Sequence, residues 1–297
     1  MLEIGVPENQ VRDLPTILKT SANDVEQMMQ RLAPILISGG TAVRFSQEEI
    51  EKKFAELMRM ALTTSSNPEV LLTKRKEMNV FVSDFSRAGL VICQALAAVG
   101  VGTIFSDDAK HVSRSDTQLL GHPTSSLGLH RSVSVKQVVG PEARIEVHTR
   151  LTDPIYERTD FAILMASDVL SPERYQTFLS RDVPHISIVF NEKGVRVSPI
   201  IFPGATACLG CAEIEKISLD PSWISLALQL AQSPRNLSDT TSLLFAAAMA
   251  TRACIASGVG NLQSNPHDEN LGHELNLATG EIVSFQHANL NCGCREA

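Results

Sequence analysis

Two textures of hydrophobic and polar positions succeed one another along this chain. In the first, Val25, Met28, Met29 and Leu32 recur at three- and four-residue steps behind Ser21-Ala-Asn-Asp24, and Pro34 closes the run, which predicts an amphipathic helix. Phe54, Leu57, Met58 and Ala61 repeat that spacing behind Ser46-Gln-Glu-Glu49. There Ser46 can accept the first free amides, Glu49 can reach back to complete a capping box, and Phe45 can staple onto Ile50. Thr63 to Pro68 is rich in hydroxyls and reads as a loop. Residues 1–70 are therefore expected to form a small helical N-terminal domain, with a winged-helix-like remnant as one form it could take.

The second texture, over residues 71–297, alternates short β-branched runs with apolar helices. Met78–Ser83 fits a buried parallel strand and Leu90–Val99 a helix, while Gly100-Val-Gly102 turns into a second strand, Thr103–Ser106, that ends in Asp107-Asp108. Further strands are expected at Arg144–Thr149, Phe161–Ala166 and His185–Phe190, with a helix opened by Ser171-Pro172-Glu173 between the last two. Helices come next at Ser222–Gln232 and from Thr240 to Ser257, the latter capped by Ser238, and a hairpin turns at Thr279-Gly280. This succession predicts an α/β fold, a Rossmann-like, mostly parallel sheet with flanking helices.

Composition works mainly by exclusion. A net charge of -7 with only two Tyr and one Trp argues against nucleic acid, whose phosphates select basic stripes interleaved with stacking aromatics. No apolar run approaches the ~20 residues of a membrane-spanning helix. The start, with Glu3, Pro7 and Glu8, lacks the basic and apolar stretches of a secretion signal, so a cytoplasmic location without membrane contact is expected.

Cysteine spacing adds chemistry. Cys208-Leu-Gly-Cys211 and Cys292-Gly-Cys294 each offer two thiols on a short turn, the donor set of one closed structural zinc site. Two local disulfides are one alternative, poorly served by a Cys-x-Cys pair. A redox pair is the other, for which Cys208-Leu-Gly-Cys211 lacks the expected position just before a helix in a thioredoxin-like βαβ unit. Cys93 and Cys254 lie within apolar helical patterns and read as core fillers, leaving no thiol for thioester chemistry. His130, His185 and His287 have no metal-like spacing and read as surface or core residues.

Several motifs occur together in one order. They are Val80-Phe-Val-Ser-Asp84-Phe-Ser86-Arg-Ala-Gly89-Leu, then Gly100-Val-Gly102 with Asp108, and Ser115-Asp116, followed by Pro203-Gly-Ala-Thr-Ala-Cys208-Leu-Gly-Cys211 and the terminal Cys-Gly-Cys. In this order the chain resembles the ThiF/MoeB/HesA family of ubiquitin-activating-type adenylyltransferases over roughly residues 74–297. It is similar above all to the branch found with thiazole/oxazole-modified peptide clusters, whose members act as cyclodehydratase partners or leader-peptide-binding proteins. The resemblance implies ATP and Mg²⁺, a small carrier protein or peptide C-terminus as the group adenylated, and a homodimer. By motif position it implies that Gly89 is the third glycine of the nucleotide turn and Asp108 the ribose-binding acid. It further implies Arg131 as the basic phosphate contact and Asp168 as the carboxylate ending the Phe161 strand.

The departures are as informative. Asp84 and Ser86 stand where the family turn has bare glycines, so a carboxylate faces the place of an anion. Lys110 replaces a second acid, Asp116 stands for an Asn, and Leu119 for an arginine that contacts ATP. Two functions of different class remain open: an ATP-dependent adenylating enzyme with a degenerate phosphate-binding turn, or an inactive scaffold that binds a leader peptide or a partner enzyme.

Overall fold

The computed structural model describes residues 15–16, 19–32, 46–63, 67–232, 235–258, 270–288 and 292–293. Pro34, Phe45 and Cys294 lie outside them, so the helix stop, the hydrophobic staple and the fourth thiol are not described. The chain divides into two compact units at Thr73 and Lys74.

In the first unit α1 (Ala22–Leu32) starts where Ser21 Oγ accepts the Asp24 amide at 3.1 Å. Helix α2 (Gln47–Lys52) carries the capping box, with the Glu49 amide on Ser46 Oγ and the Ser46 amide on Glu49 Oε2. Helix α3 (Phe54–Thr63) comes next. Pro68–Glu77 forms α4, which the hydrophobic pattern did not announce because its apolar residues cluster at Val70-Leu-Leu72 ahead of a basic run.

The second unit is built on one eight-stranded sheet in the order β3-β2-β1-β4-β5-β6-β7-β8. Its strands are β1 (Asn79–Val82), β2 (Thr103–Ser106), β3 (Arg144–Val147), β4 (Phe161–Ser167), β5 (His185–Asn191), β6 (Gly194–Val197), β7 (Gly272–Asn276) and β8 (Ile282–Phe285). Strands β1 to β5 run parallel, and β6 to β8 continue antiparallel. Fully buried parallel strands need apolar residues on both faces, and Val80, Phe81, Ile104, Phe105, Phe161, Ile163 and Leu164 supply them. Strand β6 was missed because its four residues include a polar Arg196 and a positive-φ Gly194.

Helix α5 (Arg87–Ala98) packs on this sheet with α6 (Arg131–Val139), and α7 (Pro172–Leu179) begins at Pro172 behind Ser171. Helices α8 (Leu209–Leu219), α9 (Trp223–Gln232) and α10 (Thr240–Gly258) complete the unit. Two expectations are corrected here. Helix α10 is capped by Asp239, whose Oδ1 accepts the Thr241 and Ser242 amides, because Ser238 turns its hydroxyl to Asn236 instead. And α10 is long and apolar enough to cross a membrane by length and composition. It packs against α5 and β6, with Leu243, Ala246, Ala250 and Cys254 in the core, so its apolarity serves the interior.

Close backbone approach fixes two glycines. A Cβ on Gly89 would stand 1.9 Å from the Asp84 carbonyl oxygen, and one on Gly102 would stand 1.7 Å from that of Lys76. Only a bare Cα lets α5 enter this tightly behind β1.

Candidate functional site

The turn from β1 into α5 lies over the carboxyl ends of the parallel strands, the end of an open α/β sheet where ligands bind. Three successive backbone amides there are each taken by a different aspartate of the same chain. Phe85 N donates to Asp108 Oδ2 at 2.9 Å, Ser86 N to Asp84 Oδ1 at 2.8 Å, and Arg87 N to Asp116 Oδ1 at 3.3 Å. Such amides at a helix start form an anion cradle, and here in-chain carboxylates are the anions.

Arg131 closes the cluster from α6. Its guanidinium meets both Asp116 oxygens at 2.9 and 3.0 Å and Asp108 Oδ2 at 3.2 Å, with side-chain exposures of 13% for Arg131 and 2–3% for the acids. Burial alone would raise Asp116, but Ser113 and Arg131 outweigh it and hold the carboxyl below its usual range. Burial likewise works against the Arg131 charge, and the two aspartates overcome it. Asp84 differs. Burial pushes its carboxyl up despite the Ser86 amide, with the Asp108 charge acting in the same direction. Asp108 also accepts the Lys110 amide at 2.9 Å, and buried His122 bridges the Phe85 carbonyl and Ser134 Oγ, both at 2.8 Å.

Ser86 caps α5 without a side-chain hydrogen bond. The next residue, Arg87, is buried and turns its guanidinium sideways, donating to the Leu119 and Ser238 carbonyls and to Thr240 Oγ1. Across the cluster, Asp168 at the end of β4 adopts φ +61° and receives Arg235 through two bonds of 2.6 and 3.0 Å. A non-glycine residue held in the left-handed region carries a strain of about 1 kcal/mol or more. A cavity of about 360 Å³ lies between these groups, with Asp84, Ser86, Lys110, Asp116, Arg131 and Arg235 on its walls. A second cavity, of about 300 Å³, begins on the other side at Asp168 and runs over β5 and β6 beneath α8 to Phe285 and His287.

Of the residues expected at a nucleotide site, Gly89, Ser86, Asp108 and Arg131 thus share one cluster around the turn, and Asp168 lies on the wall of the second cavity, bonded to Arg235 of the first. Sequence reasoning missed Asp116 as the hub, His122 and Arg235. Asp116 had a legible signal, since Ser113 and Asp116 form a short capping box. Arg235 had none, being one basic residue in a loop.

The cysteines converge. Sγ of Cys292 stands 3.4 Å from that of Cys208 and 3.1 Å from that of Cys211, and no disulfide joins them. Three thiols within 4.8 Å of one another, two of them buried, can hold a metal ion. Cys208 proves to be the N-cap of α8. The helix escaped notice because Gly210 interrupts its first turn; it follows an antiparallel strand and leads into α9, so no thioredoxin-like βαβ unit surrounds the pair. Cys93 and Cys254 are fully buried, and burial raises both thiols, Cys254 to about 12.

An open sheet in the order 3-2-1-4-5 with an antiparallel extension, a tight helix entry at Gly89 and a cavity near the strand ends define a Rossmann-like α/β fold of the nucleotide-binding type. Solved structures agree with that class. The chain is similar to PaaA, with a TM-score of 0.70 at 17% identity over 94% of this chain and 96% of that one. It is also similar to E. coli MccB bound to ATP, with a TM-score of 0.65 at 15% identity over 95% of this chain and 83% of that one. MccB with AMPCPP and MccA gives 0.67 at 16% identity, covering 93% and 83%. At these identities the likeness is one of fold. No protein-family model matches the chain, and no curated protein matches it by sequence.

Proposed function

We propose that this chain is a ThiF-type protein that binds a peptide or carrier-protein C-terminus without adenylating it. One observation carries the reading: the three amides that would cradle a nucleotide phosphate are occupied by Asp108, Asp84 and Asp116. A phosphate entering the turn must displace these carboxylates and meet their charge, a repulsion of about 1 kcal/mol per pair in water that grows several-fold at lower effective dielectric. The peptide partner is supported by the fold neighbour MccB, which has been solved with MccA, and by the second cavity beside Asp168. The three thiols fit zinc by donor type and spacing, with Cys294 as the fourth ligand; such a closed site is structural and would fasten the segment carrying Cys292 to α8. A cytoplasmic homodimer belongs to the same proposal.

The adenylating reading has its own support. Gly89 keeps the close approach that the nucleotide turn requires, Asp108 and Asp168 stand at strand ends, and a cavity of about 360 Å³ lies beside the turn, walled by Ser86, Lys110 and Arg131. If ATP and Mg²⁺ bind, Arg131, Lys110 and Asp168 are the residues that would hold them, and ATP would supply an adenylyl group to the acceptor carboxylate, with pyrophosphate as the leaving group. Titration of zinc-loaded protein with ATP, together with pyrophosphate exchange in the same sample supplied with peptides bearing free C-terminal carboxylates, decides between the two. Millimolar or weaker affinity and no exchange are expected, with tighter binding after Asp84→Gly plus Ser86→Gly. Micromolar ATP binding by the unaltered chain refutes the proposal.

A further inference from the structure

The Asp168 carboxylate is built into the sheet, and its partner is not. Asp168 ends β4 with its side chain 6% exposed, its amide donating to the Phe190 carbonyl at 2.7 Å and its backbone at φ +61°. A carboxylate so placed needs a counter-ion, and among the described residues Arg235 alone bonds to it, meeting both oxygens at 2.6 and 3.0 Å. Arg235 reaches in from the solvent side, with its side chain 45% exposed. The helix before it, α9, buries none of its residues and leaves Ile224, Leu226 and Leu228 exposed. The segment after it is tied down, since buried Arg87 holds the Ser238 carbonyl and Thr240 Oγ1 and α10 enters the core. Arg235 thus stands where a thinly packed stretch meets a fixed one, the kind of place at which a segment opens locally. Glu192 acts on the Arg235 charge in the same sense as Asp168, so a second acid stands within electrostatic reach of the guanidinium.

Asp168 walls the second cavity and Arg235 the first, so the pair lies at the boundary between them. Magnesium is commonly held by one or two carboxylates, with phosphate oxygens and water completing its shell, and a strand-end acid beside a cavity fits that need by donor type. Here both of its oxygens accept from Arg235 instead. A guanidinium and a divalent cation cannot share one carboxylate face, because their charges repel and the fork already takes both oxygens. In the amide cradle the aspartates match the sign of a phosphate; at Asp168, Arg235 matches the sign of a metal. We infer that the Arg235–Asp168 pair is an autoinhibitory latch: the guanidinium occupies the cation position of Asp168, and withdrawing it creates a divalent-metal site at the boundary of the two cavities. Beyond the self-filled phosphate turn of the non-adenylating reading, the chain thus carries a second block, one that the movement of a single half-exposed side chain lifts.

The test titrates full-length zinc-loaded protein with Mn²⁺ in the absence of nucleotide and counts free and bound metal by electron paramagnetic resonance. Arg235→Gln should bind Mn²⁺ about tenfold or more tightly than the parent, since a site open for less than about a tenth of the time loses that factor in apparent affinity. Arg235→Lys keeps a cation but not the two-pronged fork, so its affinity should fall between the two. Adding Asp168→Asn to Arg235→Gln should abolish the gain. Equal affinity in the parent, Arg235→Lys and Arg235→Gln overturns the latch, as does a gain that survives Asp168→Asn. Absence of bound Mn²⁺ in Arg235→Gln that is folded by circular dichroism overturns it as well, because the freed carboxylate is then no metal site. The latch and the non-adenylating reading fail separately: no nucleotide enters this titration, whereas pyrophosphate exchange tests the turn.

Discussion

Replacing Arg131 by Met is the most direct probe of the aspartate cluster. The substitution keeps the apolar stem of the side chain and removes the one cation that, among the described residues, touches both Asp108 and Asp116, two carboxylates 2–3% exposed. Breaking a buried pair from one side costs about 3–5 kcal/mol because a charge is left uncompensated. Here the acids keep other donors, the Phe85 and Lys110 amides for Asp108 and the Ser113 and Arg87 amides for Asp116, which places the loss near the lower end, about 3 kcal/mol. For a unit of roughly 200 residues that is a fall in Tm of about 6–12 °C, measurable by circular dichroism at pH 7 with urea unfolding in parallel. The acid limb gives a second readout. Asp116 is held below its ordinary value in the folded state, so its stabilisation is present above the unfolded value of 3.8 and is lost as pH falls through the folded one. The gap between parent and variant should therefore narrow below about pH 4. A variant melting within about 2 °C of the parent, or a gap indifferent to acid, would refute the assignment of Arg131 as the cluster's counter-ion.

Gly89→Ala should cost about 3 kcal/mol or prevent folding, since its methyl would lie 1.9 Å from the Asp84 carbonyl oxygen; thermal melting of any soluble fraction checks this, and a parent-like Tm contradicts it. Elemental analysis should find about one zinc per chain, lost in Cys208→Ser with a lowered Tm, and metal-free protein of unchanged stability would count against the site. His185 is fully buried, and burial depresses it from 6.5 to about 4 although the Val183 carbonyl pulls the other way. Its neutral form is favoured by folding, so stability is complete above the unfolded value and falls as pH drops from about 6.5 towards 4, by up to about 3 kcal/mol. Urea midpoints across that range should show the slope in the parent and a flatter line in His185→Asn.

Strands and helices with one dominant period are legible in the residues alone. Thr103–Ser106 is placed to the residue by its β-branched run behind Gly102, and the hairpin around Gly280, at φ +71°, by its turn chemistry. Elements without a stripe are not: α4 concentrates its apolar residues in one stretch, and β6 is four residues long with a charge inside. At the site, spacing identifies Gly89 because its requirement is local, the absence of a Cβ behind the preceding turn. What Asp84, Asp108 and Asp116 do is illegible for the opposite reason. Their roles depend on which amides the fold brings within reach, and Asp116 meets Arg87 across 29 positions of sequence. Arg235 meets Asp168 across 67.

The thiol contact between Cys208 and Cys292 spans 84 positions. An ion gripped there turns everything from α8 to β8 into a hoop, and closing a hoop of that size removes on the order of 4–5 kcal/mol of chain entropy from the unfolded ensemble, as a cross-link would. Helices α9 and α10 and the outer hairpin then share a single fastening. Stripping the metal should loosen the outer strands far more than the parallel half of the sheet, whose β1 to β5 pairing lies entirely outside the ring.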